Sequence, residues 1–426
     1  MRLLFVHQNF PGQYRHLVKH CAGLPGYDIA CIGEAANFGR WEGAKGVRLY
    51  GTATPQGGNP ATHPYLRDVE GHIRRGQAVT RTALEIRKEG FSPDLICAHT
   101  GWGEALYLKD VFPNAKVLAF CEYYYNADHS DVDFDKITPV SMDTRLFTRT
   151  RNATQLLSMM VSDHGVSPTH WQRAQYPPAL AERISVIHDG IDTDIVRPDP
   201  QARCTFGDKG LSLRSGDEII TFVSRNLEPY RGFHILCQAL PLIQQLRPQA
   251  HIIIVGADDL GYGPRPPEGT THRELHMSAM RDKLDLSKIH FLGRVPYNHL
   301  IALFQISAAH VYLTYPFVLS WSMLEAMAAE CLVIGSKTPP VEEVIEHEKN
   351  GLLVDFFDPE HLAHTVDRAL RDPEEMRPLR KAARKTIMEK YDLHSHCLPA
   401  QMRLMHAVAQ GRMPASCPAP REDYGI

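Results

Sequence analysis

The chain has 426 residues, a formal net charge of −3 at neutral pH and 43% hydrophobic residues. That length exceeds one typical core and suits two domains, and the small net charge removes the electrostatic case for a nucleic-acid partner or a strongly anionic membrane. The 23 histidines include no H-E-x-x-H pair and the nine cysteines no C-x-x-C pair. No metal site is therefore expected, and the thiols read as reduced, in a cytoplasmic protein.

In chain order, "RLLFVH", "YDIACIG", "PDLICAH", "AKVLAFC" and "RISVIHDG" read as strands, and residues 68–88 and 103–111 as helices. The opening apolar run is too short for a signal peptide and reads as a buried strand. After the acidic, proline-containing stretch 192–201 the pattern restarts with "DEIITFVSR", "AHIIIVGA", "KIHFLGR", "AHVYLTY" and "CLVIGS". Short runs apolar on both faces, separated by helices, predict parallel sheets of the doubly wound α/β kind, with ligands at the carboxyl ends of the strands. No run reaches transmembrane length. The loop 256–274, rich in Gly and Pro, is long enough to cover a ligand or to be a solvated spacer.

Several stretches carry candidate chemistry. Arg225 ends a predicted strand and Arg231 precedes a helix opening near Gly232. Two guanidiniums beside a helix N-terminus suit a phosphate; pairing with Glu228 and surface acids is the equal alternative. In "LTYPFVLSWSMLEAMAAE", Ser320 or Ser322 is a candidate helix cap, and Glu325 is an acid in an otherwise apolar segment. A buried acid needs a partner, and a carboxylate accepts two ribose hydroxyls well; an ordinary helix glutamate is the plainer alternative. Arg145, Arg149 and Arg151 in "SMDTRLFTRTRN" suit an anionic acceptor or a membrane surface, with a solvated basic face the simpler reading.

The series "SRNLEPYRGFHILCQAL", "IIIVGADD", "HFLGRVPYNHLIALFQISAAHVYLTYP" and "LEAMAAECLVIGSKTPPVEEVIEHEKNGLLVDFFDPEHLA" resembles, in order and spacing, the donor half of the family 4 retaining glycosyltransferases. "VIHDGIDTDIVRPDP" resembles their hinge. The resemblance implies a GT-B fold, two Rossmann-like domains facing an inter-domain cleft. Implied divisions are an acceptor domain at 1–198, a donor domain at 199–390, a helix at 391–410 returning to the first domain, and a loose tail at 411–426. Implied function is retaining transfer of a sugar from a nucleotide diphosphate, UDP by preference, to a saccharide, lipid-linked or protein acceptor. No metal or other cofactor is implied, and the setting is cytoplasmic with room for peripheral membrane contact.

Matched by position, Arg225 and Arg231 fall on the family's paired diphosphate cations. Gly293, Arg294 and Val295 fall on the backbone at the nucleobase. Gly256, Ser320, Ser322 and Met323 join the nucleotide set, and Glu325 is the ribose-binding second acid of an E-x7-E motif. The first acid of that motif is replaced by Phe317, so the sugar contact there is lost; Glu122, Asp258 and Asp259 are candidates to replace it. In the first half, Gly12 sits at a strand-to-helix turn suited to close approach of a sugar or phosphate, or simply to a tight turn. Glu122 is the candidate catalytic polar contact, with His99 and Tyr123 as sugar or acceptor contacts. The rival readings are a non-catalytic nucleotide-sugar-binding partner of another transferase, and a sugar-nucleotide epimerase of the same architecture.

Overall fold

The computed structural model describes residues 1–41, 43–135, 139–206 and 210–412. They form two compact units, Met1–Gly190 with the segment from His394 onward, and Ile191–Leu393. The seam falls before the expected 198/199 boundary for a physical reason. Ile191 and Val196, in the stretch read as a linker, are buried in the core of the second unit, and Ile191 bridges to Asp392. The expected tail at 411–426 lies almost wholly outside the described residues.

The first unit is built on β1 (Arg2–Val6), β2 (Asp28–Glu34), β3 (Val47–Thr52), β4 (Leu95–His99), β5 (Lys116–Phe120), β6 (His164–Ser167) and β7 (Ile184–Val186). They form one sheet in the order β3-β2-β1-β4-β5-β6-β7, every pair parallel. Sequence pattern misses β3 and β6. The first is a half-exposed edge strand, and the second is a four-residue run, "HGVS", with little apolar signal. The helix Arg67–Lys88 covers one face through Gly76, Val79, Ala83 and Ile86, whose helical spacing meets Leu4, Val6 and Ile96. Of the helix expected at 103–111 only Leu108–Val111 forms. Gly103 has φ 97° and its backbone lies against the carbonyl of His72, so the chain enters by a turn. The last described helix, Leu398–Ala409, packs on β5 and belongs to this unit.

The second unit opens with an antiparallel hairpin, β8 (Arg203–Phe206) and β9 (Leu211–Arg214). Its main sheet contains β10 (Ile219–Asn226), β11 (His251–Ala257), β12 (Ile289–Gly293), β13 (Ala309–Tyr312), β14 (Leu332–Ser336) and β15 (Leu352–Val354). These run in the order β12-β11-β10-β13-β14-β15, again all parallel. Parallel strands buried on both faces need the continuous apolar runs seen in the sequence.

Each sheet reverses its winding at one place, between β1 and β4 in the first unit and between β10 and β13 in the second. Doubly wound sheets bind ligands outside the carboxyl ends of strands at such a point. No helix among the described residues is long and apolar enough to cross a membrane, and their cysteines are free thiols.

Candidate functional site

At the β10/β13 reversal, a short 3-10 turn, Pro229–Arg231, leads through Gly232 into the helix Phe233–Leu246. Gly232 has φ 70°, and a Cβ there would collide with Leu313 at the end of β13. Only glycine satisfies both the backbone and the close approach. The helix N-terminus is thereby seated against the next strand's end. Arg231 Nη1 donates to Thr314 Oγ1 and to the carbonyl of Val318, each at 2.9 Å. Both acceptors are neutral, so the side chain is held in place without spending its charge.

Glu228 does not pair with the arginines, as the alternative reading had it. It is 3% exposed and accepts from the backbone N–H of Tyr262 (2.7 Å) and Gly263 (3.0 Å). The acid thus anchors the loop after β11, and a side chain on Gly261 would run into its carboxylate. The anchored loop carries Tyr262 to Arg231. The rings of Tyr262 and Phe317 each lie 5.9 Å from the guanidinium carbon. Phe317 itself is buried against Tyr262 (4.8 Å between centroids) and Tyr230 (5.6 Å). Arg225 stands exposed at the end of β10.

Ser320, not Ser322, is the cap of the helix Trp321–Ala328: its Oγ accepts from the N–H of Ser322, and its own N–H donates to Tyr312 Oη at 2.8 Å. Ser322, Met323 and Glu325 are all buried in the first turns of this helix. The protein supplies Glu325 with one partner, because Tyr297 Oη donates to Glu325 Oε1 at 2.8 Å. Tyr297 opens the next helix back, Tyr297–Ile306, and delivers a neutral donor rather than a cation. The Gly256 backbone packs on Leu227 and Ser224. Arg294 forms an ion pair with Asp259, and Arg273 pairs with Asp258 at 2.8 Å. Both aspartates suggested as substitutes for the missing acid are therefore already engaged. Gly293 takes φ 63°, and Val295 is half-buried against a small cluster around Leu303.

At the β1/β4 reversal of the first unit, residues at the carboxyl ends of two adjacent strands come together. His7 and His99 lie with ring centroids 5.5 Å apart, both buried. Gly12 takes φ 47°, and a Cβ there would sit 2.7 Å from the His7 ring, so the neighbour that requires this glycine is His7. Glu122, just beyond β5, lies 3.3 Å from His99 Nε2 through one oxygen, while Gln13 Nε2 donates to the other at 3.0 Å. Gln172 Nε2 donates to the Glu122 carbonyl at 2.6 Å, fixing its backbone. The Glu122 side chain keeps 23% exposure. His99 keeps only 2%, so its ring lies beneath Glu122 in the core.

Deeper still, Glu104 is 1% exposed and accepts from the N–H of Gln8 at 3.0 Å through one oxygen, with no hydrogen-bond partner for the other. Burial raises its pKa, against the opposing pull of His99 and Arg75. Tyr123 is corrected: it is core, 5% exposed, its Oη donating to Asp131 Oδ1 at 2.7 Å and its ring set against Trp171.

Sequence reading missed His7, Gln13, Glu104, Glu228, Tyr262, Tyr297 and Thr314. One signal was present for His7. "LLFVH" and "LICAH" are two apolar strands that each end in histidine, and the sheet makes them neighbours.

With this geometry in view, comparison with known proteins is informative. Residues 25–196 match the model described as glycosyl transferase family 4 group, and residues 208–386 that described as glycosyl transferases group 1. Each half of the chain thus matches a glycosyltransferase model. The fold class is GT-B. The chain superposes on sucrose-phosphate synthase of Thermosynechococcus elongatus with TM-score 0.72 at 18% identity, covering 96% of this chain and 100% of that one. It superposes on Anabaena HepE in complex with UDP-glucose with TM-score 0.69 at 17% identity, again covering 96% and 100%.

Curated relatives include the D-inositol 3-phosphate glycosyltransferase of Corynebacterium efficiens, 26% identical over 45% of this chain and 44% of that protein. The GDP-mannose-dependent alpha-(1-6)-phosphatidylinositol monomannoside mannosyltransferase of Mycobacterium tuberculosis is 25% identical over 52% and 56%. The chain thus spans about half the length of the curated relatives it matches.

Proposed function

We propose that this chain is a retaining glycosyltransferase that uses a nucleotide diphosphate sugar. The single observation that carries the reading is Arg231, held by two neutral acceptors at a helix N-terminus on the β10/β13 reversal. A fixed, charge-bearing guanidinium at the positive end of a helix dipole suits a diphosphate and its departure as leaving group. Arg225 supplies a second cation from the end of β10, so the reading invokes no metal ion. Glu325 receives the ribose hydroxyls while Tyr297 holds its other face, and the backbone at Gly293–Val295 meets the base. Glu122, oriented by His99 and Gln13, contacts the transferred sugar or the acceptor hydroxyl. Positioning and electrostatics do the catalytic work, in keeping with glycosyl transfer by an enzyme that lends no cofactor. A UDP-sugar is the preferred donor, supported by the UDP-glucose bound to the structurally similar HepE. The acceptor is a saccharide, lipid-linked or protein hydroxyl, met in the cytoplasm.

Phe317 favours a second reading, a non-catalytic nucleotide-sugar-binding partner, because an aromatic wall stands where a sugar-binding acid would be. Release of free nucleotide from UDP-glucose, with and without candidate acceptors, separates the two, with the product anomer assigned by NMR. Acceptor-stimulated release with retained configuration supports transfer. Binding without turnover under every acceptor supports the second reading, and no binding at all removes both.

A further inference from the structure

Just beyond β5, the first unit holds a cavity of about 670 Å³ that the donor chemistry does not use. Its walls include Tyr124, Tyr125, Leu146, Arg149 and Tyr176. Asp128 is the one acid among the described lining residues, and it is taken by an ion pair with Arg145. Arg151, near the same helix, is spent on Asp68 at 3.7 Å and on the face of Tyr125, 3.9 Å from the ring centre. Arg149 has no such partner among the described residues, and it is exposed. The hydroxyl of Tyr124 is likewise without a hydrogen-bond partner there, although its ring is packed 5.3 Å from Tyr176. Burial raises the Tyr124 pKa, and the Arg149 charge opposes the rise.

We infer that this cavity takes the acceptor, and takes it by an anionic group: a phosphate on Arg149 and the Tyr124 hydroxyl, with the body of the molecule along the tyrosines. The inference rests on the transferase reading above and names its acceptor class. A guanidinium with no acid partner and a spare hydroxyl donor, both on the walls of one cavity with a rigid aromatic floor, suit a phosphate better than a neutral sugar. The floor is rigid because Asn152 binds the Tyr125 backbone at both its N–H (2.9 Å) and its carbonyl (2.7 Å). Tyr176 Oη donates to the Tyr123 carbonyl at 3.2 Å. The cavity is also tied to Glu122. The short helix His170–Ala174 and the residue after it bind both, Gln172 at the Glu122 carbonyl and Gln175 at the side chain of Asn126. An acceptor seated there would lie along the segment that carries Glu122.

The test is calorimetric titration of the full chain, without nucleotide, using glucose 6-phosphate and glucose as probes. Co-sedimentation with vesicles of phosphatidylglycerol or of phosphatidylcholine runs alongside. The expected result is binding of the phosphorylated probe and not of glucose, or of the anionic vesicles and not the neutral ones. The first outcome assigns a soluble phosphate and the second a lipid headgroup. In either case Arg149→Ala weakens binding about tenfold or more, Arg149→Lys recovers part of it, and Tyr124→Phe loses a few-fold. Equal affinity for glucose and its phosphate, indifference to Arg149→Ala, or no binding of any anionic probe overturns the proposal. Because nucleotide is absent, such a failure is separate from a failure of the donor site.

Discussion

The two units share a winding and differ in what they place where it reverses. At β10/β13 the side chains are cationic and aromatic, with Arg231 bonded to neutral acceptors and flanked by Tyr262 and Phe317. At and beside β1/β4 they are imidazoles and carboxylates, His7, His99, Glu104 and Glu122, mostly buried, with His99 set between His7 and Glu122. On the proposed reading, one scaffold offers charge to an anion and, elsewhere, polar acceptors to hydroxyls. The lesson is that a reversal point gives a place for a ligand, while the residues after each strand decide which ligand.

The difference is broken most sharply by Arg231→Ala. If the charge acts on a departing diphosphate, kcat falls by about 10²–10³-fold, the usual effect of removing one such donor, while thermal unfolding shifts little. Steady-state kinetics and a melting curve check it together. Next, Glu325→Gln should weaken nucleotide binding by about 1.5–3 kcal/mol, the size of a lost charge-assisted hydrogen bond. Tyr297 can still donate to the amide oxygen, so the helix should hold. An unchanged affinity would make Glu325 a purely structural acid.

Phe317→Glu sharpens the same contrast by importing an acid into the cationic site. The new carboxylate would be buried among Tyr262 and Tyr230 with Arg231 as its nearest cation. It would draw the guanidinium from Thr314 and Val318, so nucleotide affinity should drop by about 1–3 kcal/mol rather than rise. Calorimetry on both proteins decides; a tighter donor complex would mean the phenylalanine is a defect of the site.

The smallest effect treats the units alike. His188 in the first and His310 in the second are buried, and burial lowers their pKa values to about 4 and about 3. Both stay neutral in the native state, while the unfolded chain takes up protons below about pH 6.5. Their contribution to stability is complete above that pH and is lost as pH falls toward the native values. Each should cost about 1 kcal/mol between pH 6.5 and 5.5. Urea midpoints across that range, compared with His310→Gln, test the sign: the variant should lose less on acidification.

Much of this was legible in the sequence, and the exceptions have causes. Ten of the strands were read correctly because burial on both faces demands uninterrupted apolar residues. Five were missed: edge strand β3 and the hairpin β8–β9 are partly exposed, β6 is buried but spells the weakly apolar "HGVS", and β15 is three residues long. Arg231 and Gly232 were readable from their place before a helix, since capping and φ are local. Tyr262 and Glu228 were not, because their meeting depends on a loop that returns from β11, and spacing along the chain does not encode that return. Tyr123 misled for the opposite reason: its aromatic run looks the same whether it faces a ligand or Trp171. His99 and Glu122 were each singled out, but their pairing needed the parallel register of β4 with β5.

The central claim is that the β10/β13 reversal binds a nucleotide diphosphate through a fixed Arg231. The direct measurement is calorimetric titration of the wild type and Arg231→Ala with UDP-glucose and with UDP. The account predicts saturable binding of both ligands by the wild type and at least about tenfold weaker binding by the variant, in line with the loss of one charge-assisted contact. Equal affinities in the two proteins, with both fully folded, would contradict it.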